Sequence, residues 1–331
     1  MPCHGDLPDP DAGAAKRLEL ERSLVARFTT LYNILREDIT ATITDGHLNT
    51  IRIARGTPLD VDNIGSIPHA DASSQFFSPC DWTLASLDYE SGGFSDCCWV
   101  DLTRRDTKLC LPLGVTMIIS DWFQARLLTL QSIEENVWQP AVPESSLGRM
   151  RWDCSREAIK EKLGLELPRY EFGSDTNHPP QYEYRGTWAY FAEAAADQPH
   201  AVCTVLDSAS PTEQLAVRSE VLAAVKMSEF QHQLACFTQH YIKPILVCTY
   251  FRNQTTRITQ AHFDTKIDRL VLRQSRILDL RGAEAPPDAW LMLRWMASAP
   301  VGPTRYMSPA ASPEDSGRDS ASRPPRITVS N

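Results

Sequence analysis

Between Ala14 and Thr42 apolar residues recur at three- and four-residue steps, with Leu24, Phe28, Leu31 and Leu35 in line and Val25, Tyr32 and Ile39 beside them. That period places them on one side of a helix, so the segment predicts a long amphipathic helix. A second helical pattern opens at Asp121, where Phe123, Leu127, Leu130 and Val137 share a face and Gln124 stands three residues on to complete an N-terminal cap. The third is marked by Ser210-Pro211-Thr212-Glu213, in which Ser suits the cap, Pro the first helical position and Glu the returning bond. It predicts one helix from Ser210 to about Tyr241, with a stripe through Leu222, Val225, Phe230 and Leu234 and a stop at Pro244. Four β-type runs follow: Ile245 to Phe251, Thr255 to Phe263, Arg269 to Gln274 and Arg276 to Leu280. The gaps between them are too short for crossover helices, which predicts an antiparallel meander. Lys108 to Ile119 reads as a buried strand or hairpin, Ser155 to Leu163 as a short helix, and Asp288 to Ala299 as a last helix carrying Leu291, Met292, Trp295 and Met296.

These elements define an α+β protein of long amphipathic helices packed on an antiparallel β-meander. A flexible N-terminus is expected over 1–12 and one mixed domain over 13–302, or two packed lobes joined by the Pro-rich connector near 139–150. From 303 to 331 the composition turns to Pro, Ser, Gly and charge, with no large apolar residue between Met307 and Ile327, so a disordered tail is expected. Its Ser308-Pro309 and Ser312-Pro313 pairs would suit proline-directed kinases.

The chain has 331 residues, 42% of them apolar, which is enough for a sizeable core. A net charge of −9 speaks against a protein that grips nucleic acid or anionic lipid over its whole surface. No apolar run reaches the ~20 residues of a membrane span, and no secretory leader is legible, so a cytoplasmic or nuclear location is expected. Nine cysteines without Cys-x-x-Cys spacing predict reduced thiols and no structural zinc; Cys97 and Cys98 form the one adjacent pair. The sequon Asn253-Gln254-Thr255 reads as a turn between strands.

No phosphate-binding Gly loop, no dinucleotide fingerprint, no His-Glu-x-x-His and no Gly-x-Ser-x-Gly is present, and no cofactor or metal site is predicted. The candidate catalytic group is His262, Asp264 and Lys266. An acidic residue two before a Lys at a strand end is a spacing found in metal-dependent phosphoester cleavage, where the carboxylate holds the metal and the ammonium meets developing phosphate charge. The competing reading of the same residues is a polar turn between strands. Charge adds a second candidate. From Lys243 to Arg281 eight basic residues face three acidic ones, a local +5 against −14 elsewhere. Arg257, Arg269, Arg273 and Arg276 could therefore dock an acidic or phosphorylated macromolecule, or else pair with the acidic remainder of the same chain. The aromatic segment from Tyr170 to Phe191 reads as core or as the lining of a small pocket.

The stretch Pro244 to Leu280, PILVCTYFRNQTTRITQAHFDTKIDRLVLRQSRILDL, together with the Leu- and Trp-bearing helix and Pro300-Val301-Gly302, resembles the C-terminal part of a group of filamentous-fungal proteins without an assigned activity. The likeness extends more loosely to Tyr182-Glu183-Tyr184-Arg185-Gly186 and to the first helix. It implies a lineage and carries no functional residue. Taken together, the sequence favours a non-catalytic protein acting through macromolecular contacts, and its rival is a metal-dependent phosphoester or small-molecule enzyme using the meander.

Overall fold

The computed structural model describes residues 10–38, 40–63, 75–79, 116, 119–123, 182, 184–191, 198–234 and 237–306. The connector near 139–150, the Ser155 to Leu163 helix, Cys97 and Cys98, most of the aromatic segment and the Ser-Pro pairs lie outside the described residues.

The chain runs α1 (Pro10–Glu37), β1 (Thr42–Ile43), α2 (Asp45–Thr50), β2 (Ile53–Arg55), β3 (Phe77–Ser78), β4 (Tyr184–Phe191) and β5 (Ala201–Asp207). It continues with β6 (Ala216–Val217), α3 (Arg218–Gln233), β7 (Ile245–Phe251), β8 (Thr255–Asp264), β9 (Arg269–Gln274), β10 (Leu278–Asp279), α4 (Pro287–Met296) and β11 (Ala299–Pro300). The fold is α+β. Three of the four runs form the expected antiparallel meander, β7 with β8 and β8 with β9, whereas the fourth shortens to β10 and pairs with β8 instead of following β9. The meander is the middle of a larger mixed sheet, however, in the order β2-β9-β8-β7-β5-β4. β5 joins β7 in parallel through α3, β4 pairs antiparallel with β5, and β2 lies parallel to β9. β10 resumes the pairing with β8 where β9 leaves off, across Ser275, whose amide and hydroxyl both bond Ile258.

Both faces of this sheet are covered, which is why β7 reads as an apolar run broken only by Thr249 rather than as an alternation. Ile245 and Val247 face α1 and α3 in one core, where α1 contributes Leu24, Phe28, Leu31 and Leu35. Leu246, Cys248 and Tyr250 face a second core built by α4 and by helical residues 119–123. Cys203 and Cys248 thus sit in different layers. Ile119 belongs to helix rather than to the predicted strand: it and Phe123, one turn apart, are both buried, and Phe123 packs at a tilt against Tyr250 with ring centroids 5.3 Å apart.

Two boundaries differ from the sequence reading. α3 begins at Arg218, not Ser210. The carbonyls of Thr212 and Leu215 accept from the buried Arg257 guanidinium instead of helical amides, and Ala216–Val217 pair with Ile43 and Thr42. The predicted cap is therefore a loop held down by a strand residue. The helix ends at Gln233, and Leu234 is its buried cap. At the other end, Pro303 to Tyr306 belong to the fold and not to the tail. Arg305 bridges to His240, Tyr306 donates its amide to the Gln239 carbonyl, and Thr304 is buried.

Candidate functional site

In open sheets with parallel strands, ligands gather where the carboxyl ends of the strands meet a helix N-terminus. Here that place lies under the first turn of α3, where polar residues replace the apolar lining of the α3 face. Asp207 closes β5; Thr249 on β7 stands opposite Arg257 on β8, and Gln274 on β9 opposite Thr259. From above, α3 brings Ser219 and Glu220. Glu220 receives Arg257 Nε at 2.8 Å and also Arg257 Nη2, takes Gln274 Nε2 at 2.9 Å, and accepts the Val217 amide at 3.2 Å. The Glu220 and Arg257 side chains are both fully buried. The pair is charge-assisted and bidentate, the geometry that best offsets the cost of taking two charges out of water.

Beside it, Asp207 accepts from the Tyr182 hydroxyl at 2.7 Å and the Ala209 amide at 2.6 Å. Burial pushes its carboxyl up to about 6, against the pull of the neighbouring Ser219 side chain, of Tyr182 and of the Ala209 amide, and the Glu220 charge pushes the same way as burial. Burial likewise raises the Tyr182 hydroxyl, helped by the Asp207 charge. Arg218 lies over the Tyr182 ring, 4.8 Å from its centroid. A carboxyl poised near neutrality is what proton transfer needs, but Asp207 is fully buried.

The three catalytic candidates are not brought into one cleft. His262 is buried, packed on the Phe76 ring at 4.9 Å, and its Nδ1 has no hydrogen-bond partner. Asp264 turns its Oδ1 to the Lys266 amide at 2.8 Å, a local bond that shapes the turn joining β8 to β9. Lys266 is exposed in that turn. The same turn fastens α1: Asp268, at φ 55°, accepts Arg27 through a carboxylate oxygen and its carbonyl, and accepts Arg52 as well. The four arginines are each engaged inside the chain. Arg257 is interior; Arg273 is buried and donates to the Thr57 carbonyl; Arg269 bonds Asn49; Arg276 forks between Asp62 and Asp288. Arg257 and Arg273 therefore cannot form a docking face, because their guanidiniums are covered by the loops they hold.

A second buried cluster joins α1 to α3. Glu21 Oε2 meets both His232 Nδ1 and Lys243 Nζ, and Phe28 stacks on the His232 ring at 5.5 Å. Burial works against the Glu21 charge, yet His232 and Lys243 hold its carboxyl below the usual range. Burial also keeps His232 low, over the pull of Glu21.

Asp207, Glu220 and Glu21 were not legible as site residues. Asp207 ends an apolar strand run, and Glu220 and Glu21 sit in helical patterns where a charged residue reads as solvent-facing. The one available signal was Arg257, an arginine in the middle of the strand pattern. Among the described residues no group of three or more His, Cys, Asp or Glu side chains is arranged to hold a metal ion, and no helix is long and apolar enough to cross a membrane. Comparison of the chain with protein-family models, with curated proteins and with solved structures gave no match.

Proposed function

We propose that the protein works without catalysis, through contacts with another macromolecule of acidic or phosphorylated character. The observation that carries this reading is the closure of its chemistry: Glu220 and Arg257 are fully buried and bonded to each other, Asp207 is fully buried and bonded to Tyr182 and Ala209, and His262, Asp264 and Lys266 diverge. The meander leaves charges of both signs in water, but Asp279 is paired with Arg281 and Asp268 with Arg27 and Arg52, so its ends keep Lys266 and part of Arg269 on one side and Arg252 on the other as basic groups for a partner. An acidic partner meets those ends without disturbing the buried pairs.

The test has two arms. Purified protein supplied with Mg²⁺, Mn²⁺ or Zn²⁺ should not turn over bis(4-nitrophenyl) phosphate, and turnover abolished by Asp264→Ala or Asp207→Asn would establish the enzyme instead. On a heparin column, Lys266→Glu with Arg269→Glu should lower the salt needed for elution, as expected when phosphate-like contacts are lost. Unchanged elution rules out the meander as the contact surface.

A further inference from the structure

On the sheet face away from α3, one light structure covers the buried His200 and His262, and its end reaches the buried His240 in the segment after α3. β3 and β11 form a two-stranded ribbon, and the chain after β11 continues as a strap to Tyr306. His200 Nε2 lies 3.2 Å from the Val301 carbonyl, and its ring meets Phe77 edge-on at 5.4 Å. His262 packs under Phe76, and His240 Nδ1 lies 2.9 Å from Thr304 Oγ1. Phe76, Phe77, Val301 and Thr304 all belong to the ribbon or the strap. We propose that β3, β11 and the strap to Tyr306 form an acid-released lid over His200, His240 and His262.

The proton accounting is local. With Nε2 of His200 donating to the Val301 carbonyl, the second proton must go on Nδ1, which is buried and makes no hydrogen bond, and the Phe76 backbone favours that proton less than burial opposes it. His262 Nδ1 is likewise buried without a hydrogen bond. The charges that face these rings do not rescue them: His240 opposes a proton on His200, while on His262 the favourable Asp264 is set against Arg273. Burial accordingly brings both imidazoles down to about 4. Lifting the lid returns the rings to water and to ordinary basicity, so acid favours the open form. His200 and His262 each then raise the open-to-closed ratio by up to about tenfold per pH unit below 6.5. Although Phe76 and Phe77 are buried under it, the lid can open without the molecule unfolding, because β3 and β11 are two residues each, paired among the described residues only with one another, and β11 is half-exposed, whereas β7 and nearly all of β8 are buried inside the six-stranded path of the main sheet.

Gly302 supplies a lever that touches no histidine. It adopts φ 82°, and a Cβ there would stand 2.6 Å from the Gln75 carbonyl oxygen, so the strap can cross β3 only with glycine at this point. Hydrogen exchange on the full chain, corrected for intrinsic rate, decides the matter. From pH 7 to pH 5 the wild-type peptides covering 75–79 and 299–306 should open at least tenfold more often while 245–263 stays protected. His200→Phe should weaken that response. Gly302→Ala should open the lid already at pH 7 and move the NMR titrations of His200 and His262 towards 6.5. The lid is overturned if its exchange does not depend on pH, if it exchanges only together with β7 and β8, or if Gly302→Ala opens it and leaves the histidine titrations where they were.

Discussion

Arg257 does on this scaffold what a hydrophobic residue would do in most central strands: it fills the space between sheet and helix. It does so with a charge, and the cost of burying that charge is met by two bonds to Glu220 and two backbone carbonyls. Removing one partner of such a pair leaves the other charged and dry, which costs about 3–5 kcal/mol. Arg257→Met should therefore lose that much in urea denaturation, and it should also free the loop before α3 to proteolysis. Adding Glu220→Met should restore part of the stability, since replacing both members of a buried pair by apolar groups is often close to neutral. If the double variant is no more stable than the single one, the loop carbonyls rather than Glu220 set the value of Arg257. A neighbouring residue gives the opposite sign. Asp207 is held near 6 by burial, so Asp207→Asn removes a charge that the fold disfavours and should not destabilise the protein at pH 7.5.

Element by element, the sequence pattern was most informative where periodicity and neighbours agree. The meander, α4 and most of α1 were legible because short connections force adjacent strands together and because one face repeats without interruption. The start of α3 was not, for a reason seen only in three dimensions: the cap-like Ser210-Pro211-Thr212-Glu213 competes with Arg257 from β8, and the tertiary contact wins. The parallel join of β5 to β7 was equally hidden, since an apolar run such as β5 does not say which strand it will lie beside. The same distance effect separated His262 from Lys266. Alternation puts His262 and Asp264 on one side of β8, but the Asx-type turn that Asp264 forms carries Lys266 into water. Leu234 joins the two levels: it is the buried cap of α3 in the core shared with α1. Leu234→Ala should cost ~2–5 kcal/mol, the range for an aliphatic side chain deleted from a core, and a loss below ~0.5 kcal/mol would mean that the cap is not packed. By contrast, Asp268→Asn keeps a residue that tolerates φ 55° and loses only the exposed charge pairs with Arg27 and Arg52, so it should cost no more than about 1 kcal/mol, with the larger effect at low salt.

For the whole molecule, buried titratable groups of opposite sign set the dependence of stability on pH. His200 and His262 bind a proton less readily when folded, at about 4 against an ordinary 6.5, so the unfolded chain takes up more protons as pH falls through that window. Stability is complete above 6.5 and declines towards 4, by on the order of 3 kcal/mol for each histidine over the full window. Asp207 works the other way. Its folded value near 6 exceeds the ordinary 3.8, so acidification from 6 to 3.8 favours the folded state by a similar amount. The two histidines outweigh one aspartate, and between 6.5 and 6 they act unopposed. The melting temperature should therefore hold from pH 8 to 6.5 and fall below it. In a domain of this size each kcal/mol corresponds to roughly 2–4 °C. The variants separate the contributions: Asp207→Asn should steepen the fall below pH 6 by removing the opposing group, whereas His200→Phe or His262→Phe should flatten it. Differential scanning fluorimetry across pH 8 to 4.5 reads all three curves. A flattened curve for Asp207→Asn would show that Asp207 is ionised in the folded protein and that its bonds to Tyr182 and Ala209, rather than burial, govern its charge.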